Sequence, residues 1–179
     1  MNTKLLCLIV CSVLAVFVTS CATRSTINFH GIEVGGDKQD AEKFMGDHWE
    51  KTPQPHQGIE YRTRYGGFGS FTNAYSSQIE FCDDKVMRVV VKFKRKPGLY
   101  NTLLKNMTEL YGSFGDAPTD HYPVEYKFFN AKQKTVGDVT LIVREFDHLT
   151  VLGSEPQGWI VLAAVHGPTV TAHHEQNER

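Results

Sequence analysis

The chain has 179 residues and a formal net charge of −1, from 19 basic and 20 acidic side chains. This near neutrality argues against a nucleic-acid-binding protein, which usually carries a strong basic excess. The length fits one domain that buries its own core. Three of the four cysteines lie within the first twenty-one residues, so Cys82 has no partner for an internal disulfide. We expect Cys82 to be a small packed hydrophobe.

The first twenty-one residues have the build of an export signal. Lys4 precedes the apolar run Leu5–Val18, and small residues then lead to Cys21. A run of 14 residues is too short to span a bilayer, which takes roughly 20 residues. An ordinary secretory leader is an open alternative, because Val18 and Ser20 also satisfy the third and first positions before a non-lipid cleavage site.

The junction Val18-Thr19-Ser20-Cys21 resembles the lipobox of bacterial lipoproteins. The resemblance implies that diacylglycerol is attached to the Cys21 thiol and that the signal peptide, residues 1–20, is removed. Two or three acyl chains such as palmitate hold a protein on a bilayer without a transmembrane helix. Ala22 follows the cysteine, as in enteric lipoproteins destined for the outer membrane. We therefore expect an exported protein with a lipidated tether over residues 21–30, anchored to the outer membrane and facing the periplasm.

The body begins with a predicted helix and a group of strands. Asp37 fits an N-cap after two glycines. The apolar positions that follow have the spacing of one helix face; they are Ala41, Phe44, Met45, His48 and Trp49. A first strand is predicted over residues 58–65. The clearest hairpin joins Gln78–Cys82 to Val86–Lys94 through Asp83-Asp84-Lys85, because apolar residues alternate with polar ones in its second arm.

The same order of elements repeats in the second half of the chain. A helix is predicted from about Leu99 to Tyr111 on a continuous apolar stripe, with Gly112 as its C-terminal stop. Four strands are predicted after it, over residues 124–130, 138–146, 149–152 and 159–165. Residues 168–179 are polar and unpatterned, which predicts a flexible tail.

Strands that follow one another without intervening helices favour an antiparallel sheet. We therefore predict an α+β fold with a single domain over residues 31–167. It consists of two helix-plus-antiparallel-strand modules, about residues 31–96 and 97–167, which form a two-layer sandwich.

The first module carries a family resemblance. A helix entered through glycine, an extended segment and the hairpin Ile79-Glu80-Phe81-x-Asp83-Asp84-Lys85-Val86-x-x-Val89 resemble the SmpA/OmlA lipoproteins of the outer-membrane-protein assembly machinery. They also resemble the β-lactamase-inhibitor-type fold to which that family is compared. The match covers about residues 31–93, and the proline exit at Gly115-Asp116-Ala117-Pro118 supports an internal duplication. The resemblance implies a binding or scaffold role and carries over no catalytic residue.

No residue pattern points to catalysis, to a cofactor or to a bound metal. His173-His174 lie in the predicted tail without further ligands, and His48 fits a packing role on the first helix. Asp83-Asp84 fit the turn of a hairpin tip. Ser-x-x-Lys, Gly-x-Ser-x-Gly and His-Glu-x-x-His signatures do not occur in the sequence. We therefore expect a protein without enzymatic activity and keep an envelope hydrolase as a third interpretation.

Two groups of residues are candidates for contact with a partner. The first group is the aromatic, glycine-rich loop, whose composition is typical of binding loops; its members are Tyr65, Phe68, Phe71 and Tyr75. Packing beneath the sheet edge is the alternative for these rings. The second group is basic, comprising Lys92, Lys94, Arg95 and Lys96. These charges would contact lipid headgroups or an acidic partner at about 1 kcal/mol each, or would form a solvated strand end.

We therefore expect a membrane-anchored, non-enzymatic lipoprotein that binds an envelope protein as a scaffold module. Its expected partners are the membrane, through the lipid on Cys21, and that envelope protein; nucleic acid is not expected. The alternative is an inhibitor or immunity-type lipoprotein that blocks a secreted enzyme or toxin with the aromatic loop inserted into the target's cleft.

Overall fold

A computed structural model describes residues 27–51, 58–119, 126–148 and 157–177. The predicted signal peptide, Cys21 and the predicted strand over residues 149–152 lie outside these described residues. The secondary structure within them is, in chain order, β1 (Ile27–Phe29), β2 (Ile32–Val34), α1 (Lys38–Met45), a 3-10 turn (Gly46–His48), β3 (Glu50–Lys51), β4 (Glu60–Tyr65), β5 (Ser76–Cys82), β6 (Lys85–Lys94), α2 (Leu99–Tyr111), β7 (Gly115–Asp116), β8 (Tyr126–Val136), β9 (Val139–His148), β10 (Gln157–His166) and α3 (Gly167–Asn177).

The prediction of an α+β fold with antiparallel strands is confirmed. The described strands form one large sheet in the order β3-β4-β5-β6-β10-β9-β8-β7 and a small β1-β2 hairpin. All of these pairs are antiparallel. In each half of the chain the strands advance from an outer edge toward the middle, where β6 pairs with β10. This central pair joins the two halves in one sheet.

One face of the sheet carries the hydrophobic core. Alternate residues of the central strands point to this face and are fully buried, including Val89, Val91, Ile160 and Leu162. The β1-β2 hairpin, α1 and α2 contribute buried side chains to the same cluster, which defines the covered face. The strand period of two therefore separates a covered face from an opposite face with a different composition.

Helix α2 has the bounds that its apolar stripe predicts, and it presents Tyr100, Leu103 and Met107 to the core. The hairpin between β5 and β6 turns at Asp83 and Asp84, whose φ angles are 49° and 58°. A two-residue turn with positive φ at both central positions favours aspartate, asparagine and glycine. Turn geometry alone therefore accounts for the paired aspartates.

Helix α1 is shorter than its apolar pattern predicts. It ends at Met45, and a 3-10 turn follows from Gly46, whose φ is 61°. The predicted packing role of His48 is wrong, because that side chain is exposed. Phe44 is also 47% exposed. The apolar spacing in the sequence continues across Gly46, but the backbone leaves the helix at this glycine.

Two predictions about the ends of the body are wrong. Strand β1 lies inside the predicted tether, where Ile27 and Phe29 are buried on either side of the exposed Asn28. Residues 167–177 form α3, whereas a flexible tail was predicted over residues 168–179. Gly167 N donates to the carbonyl of Asp138 at 2.9 Å, which attaches the start of α3 to the β8-β9 turn.

Candidate interaction surface on the sheet

The sheet face opposite the core is rich in aromatic and cationic side chains. In β6 this face carries Arg88, Val90, Lys92 and Lys94, whereas the alternating residues Val89, Val91 and Phe93 are buried in the core. We call it the aromatic face. Trp159 and Phe146, which lie on this face by register, are buried to 5% and 8% exposure but do not belong to the core cluster. Neighbours on the same face therefore cover them.

Strand register brings four of these residues into a row across the sheet. Lys94 of β6 lies opposite Trp159 of β10, Trp159 lies opposite Phe146 of β9, and Phe146 lies opposite Phe128 of β8. The Phe128 and Phe146 ring centroids are 5.3 Å apart. Tyr75, just before β5, places its ring 5.0 Å from that of Trp159. Such separations are those of interacting aromatic pairs.

Two lysines lie over the aromatic rings at one end of this row. The Lys92 Nζ atom is 3.9 Å from the centroid of the Trp159 ring, and the Lys94 Nζ atom is 5.3 Å from that of Tyr75. A cation in this position is attracted by the negative face of the ring, with about 0.5–2 kcal/mol of stabilisation depending on exposure. Burial lowers the pKa of Lys92. The lysine stems and the rings thus form one amphipathic patch.

The electrostatic balance of this face is positive. Glu80 is almost fully buried, and its carboxylate accepts hydrogen bonds from Arg88 Nε at 2.8 Å and from Arg88 Nη2 at 2.5 Å. This pair is neutral overall, so Lys92 and Lys94 set the sign among the described residues of the four central strands. Burial and the positive charge of Arg88 both lower the pKa of Arg144. The two guanidinium groups are therefore close enough to repel each other electrostatically.

The four aromatic candidates divide between the two sides of the molecule. Phe68 is 5% exposed and contacts Trp49 with a centroid separation of 5.5 Å. Phe71 packs against the core, 5.9 Å from the Phe93 ring. Tyr65 lies on the aromatic face by register, since it is opposite Ser76, which is opposite Lys92. Tyr65 and Tyr75 are 71% and 44% exposed. Of the two interpretations of the loop, packing beneath the sheet therefore describes the two phenylalanines.

The four basic candidates do not form a single cluster. Lys92 and Lys94 belong to the aromatic face. Arg95 forms an ion pair with Asp147 at 3.0 Å and lies 4.7 Å from the Phe129 ring centroid. Lys96 is exposed in the turn between β6 and α2. The structure therefore joins half of the basic group to half of the aromatic group in one patch.

Sequence reasoning missed Trp159, Phe146, Phe128 and Arg144. Alternation gave only a partial signal, since Arg144 follows the buried Val143 and Trp159 precedes the buried Ile160. Only the strand register shows that these positions meet Lys92, Lys94 and Tyr75.

The described residues offer little for metal chemistry or for membrane spanning. No group of three or more His, Cys, Asp or Glu side chains in them could hold a metal ion. Across the same part of the chain, none of the helices has the length and apolar character needed to cross a bilayer. The chain has no significant match among protein-family models, curated proteins or solved structures.

Proposed function

We propose that this chain is an exported, lipid-anchored module without enzymatic activity that binds another protein of the cell envelope through its aromatic face. The observation that carries the proposal is the patch in which Tyr75 and Lys94, both exposed, and the partly exposed Lys92 surround the buried ring of Trp159. Protein interfaces are enriched in tryptophan and tyrosine, and these residues contribute much of the binding free energy. The two lysines add positive charge that an acidic partner would complement. The membrane attachment rests on the lipobox-like sequence before Cys21.

The charge of the patch indicates the chemistry of the partner. Lys92 and Lys94 make the described part of the aromatic face positive, although the whole chain has a net charge of −1. An acidic loop or strand with an apolar side chain would match both the cations and the rings. Charge complementarity of this kind speeds association and selects among partners. Capture should therefore weaken as salt concentration rises, because exposed charges are screened.

The finer architecture is also a proposal. We infer that residues 31–96 and 97–167 are duplicated modules in a two-layer sandwich similar to the SmpA/OmlA fold. The order of the elements supports this inference. Helix α1 precedes the strands β3–β6, α2 precedes the strands β7–β10, and each set of strands advances from an edge of the sheet to its centre. A scaffold role at the inner face of an outer membrane agrees with this arrangement.

An affinity capture from solubilised envelopes tests the binding proposal. We expect one predominant protein to be recovered in a fixed ratio with the native chain, and its recovery to fall sharply with Lys94→Glu and with Tyr75→Ala. Lys105→Glu on α2 is the matched control, because it makes the same charge change at a side chain that is 76% exposed on a different surface. Equal recovery with Lys94→Glu, Lys105→Glu and the native chain would contradict the role of the aromatic face.

The identity of the captured protein separates the two functional classes. Recovery of barrel-assembly or cell-wall components supports a scaffold. Recovery of one soluble enzyme or toxin in a one-to-one ratio supports the inhibitor or immunity alternative. An inhibitor would use the aromatic face as well, since Phe68 of the loop belongs to the core and Phe71 packs against it.

Acyl labelling tests the anchor separately. We expect the native chain to incorporate labelled fatty acid and to fractionate with membranes, and Cys21→Ala to lose both properties. A native chain that lacks acyl label and still fractionates with membranes would contradict lipid attachment at this cysteine.

A further inference from the structure

A cavity on the covered side of the sheet is separate from the aromatic face. It lies between α2 and the segment 70–73 and has a volume of about 460 Å³. Cavities that bind small molecules have volumes of about 300–1,000 Å³ and mostly apolar walls. Here Phe71, Leu99 and Leu110 form the exposed or partly exposed apolar wall, and Phe93, Leu103, Met107 and Leu162 lie buried behind them.

The shape of the cavity is set by α2. Its lining residues on this helix run from Leu99 to Leu110, near the two ends of the helix. Residues at these spacings lie on one stripe of a helix, and the stripe rises by about 16 Å at 1.5 Å per residue. Leu110 is 65% exposed at its end. A long apolar cavity of this size accommodates one extended aliphatic chain better than a compact ring system.

The polar rim of the cavity is nearly uncharged. Ser70, Asn73 and Asn106 supply hydroxyl and amide groups, and Ser70 Oγ is hydrogen-bonded to Nδ1 of His30. Burial lowers the pKa of His30, so its imidazole is neutral at pH 7. Glu109 brings the one formal charge among the described lining residues. A carboxylate there disfavours an anionic headgroup, whereas a hydroxyl-bearing headgroup finds donors and acceptors.

We infer that this cavity binds the single aliphatic chain of a separate lipid with an uncharged, hydroxyl-bearing head, of the monoacylglycerol type. The inference does not depend on the partner-binding role of the aromatic face. The length of the cavity and its apolar walls favour an aliphatic chain. The neutral rim and Glu109 favour an uncharged headgroup.

Photolabelling of the full chain in native membranes tests the inference. The probe is a monoacylglycerol with a 14-carbon chain that carries a diazirine. We expect saturable labelling of residues in α2 and in the segment 70–73. Asn106→Trp places a large ring at the cavity wall and should reduce labelling by at least about tenfold, which corresponds to about 1.4 kcal/mol of binding free energy.

Asn101→Trp is the matched control, because it is the same substitution on the same helix at an exposed residue that does not line the cavity. Labelling should persist in it, and a probe of equal chain length with a carboxylate head should label the native chain about tenfold less. Equal labelling of the two tryptophan variants would overturn the inference. Labelling that occurs only in Cys21→Ala would mean that the protein's own acyl chain fills the cavity, and would also overturn a separate ligand. Partner capture should be unchanged in Asn106→Trp, so a failure here is distinguishable from a failure of the proposed function.

Discussion

The two faces of the central strands share one backbone but differ in what their side chains can do. On the covered face, Val89, Val91 and Leu162 contact the hairpin and helices that complete the core. On the aromatic face, the intervening positions hold Lys92, Lys94 and Trp159, which combine an apolar body with a polar or charged end. Burial alone therefore does not define the core. Trp159 is as buried as many core residues, yet its neighbours are cations and other rings.

The largest expected loss of stability comes from removing a buried ring on the covered side of the sheet. Phe68→Ala should lower the free energy of unfolding by about 3–5 kcal/mol, because a buried ring is removed and a cavity remains. Tyr65→Ala should change it by less than about 0.5 kcal/mol, since that ring is mostly exposed. Urea denaturation of both variants makes the measurement. Similar losses in the two would mean that the aromatic loop is not divided as described.

The next effect tests the buried ion pair on the aromatic face. Arg88→Ala should lower the free energy of unfolding by about 3 kcal/mol, because it leaves the carboxylate of Glu80 buried without its cation. Glu80→Gln should cost less, about 1–2 kcal/mol, since Arg88 is partly exposed and its charge can be hydrated. Thermal unfolding at pH 7 would show the order. The reverse order would show that the environment of Glu80 is more polar than its burial indicates.

A smaller effect concerns the cation over the indole. Lys92→Met keeps most of the side-chain stem and removes the charge, so it should lower the free energy of unfolding by only about 0.5–1 kcal/mol. It should clearly reduce the recovery of the partner in the affinity capture, although it changes the free energy of unfolding little. Urea denaturation followed by tryptophan fluorescence measures this change in stability. A stability loss of several kcal/mol would place Lys92 in a structural role instead.

The smallest expected change in stability concerns the buried hydroxyl of Tyr100 in the core. The Tyr100 hydroxyl is buried and makes no hydrogen bond with the described residues, so Tyr100→Phe should leave stability at pH 7 unchanged or raise it slightly. Burial, together with Glu145 and Asp116, raises the pKa of Tyr100 to about 12. The folded state therefore holds this proton longer than the unfolded state, and stability falls as pH rises from about 10 to 12. Tyr100→Phe should make that alkaline decline shallower, as measured by urea denaturation across this pH range.

The elements that the sequence could predict are those whose pattern is local. The stripe of α2 and the alternation in β6 each specify a type of element and a buried side, and Gly112 marks the helix end. The end of α1 was missed because the apolar spacing continues past Gly46. The helix α3 was missed because its residues have no apolar stripe and its start is held by a contact with Asp138.

The sequence predicted the aromatic and the basic candidates separately, but not that members of the two groups meet on one surface. Tyr75 and Lys94 are separated by nineteen positions in the sequence, and each was assigned to a different candidate group. Their side chains meet because β5 pairs with β6, and Trp159, far along the chain, reaches both through the β6-β10 register. Register depends on long-range pairing, which periodicity does not encode.

Site-specific photocrosslinking in the native envelope tests the role of the aromatic face most directly. A photoreactive amino acid in place of Tyr65, which is 71% exposed on this face, should give one discrete protein adduct. The same amino acid in place of Lys105 on α2 should give none. An adduct from the Lys105 position alone, or the same set of adducts from both positions, would contradict the aromatic face as the binding surface.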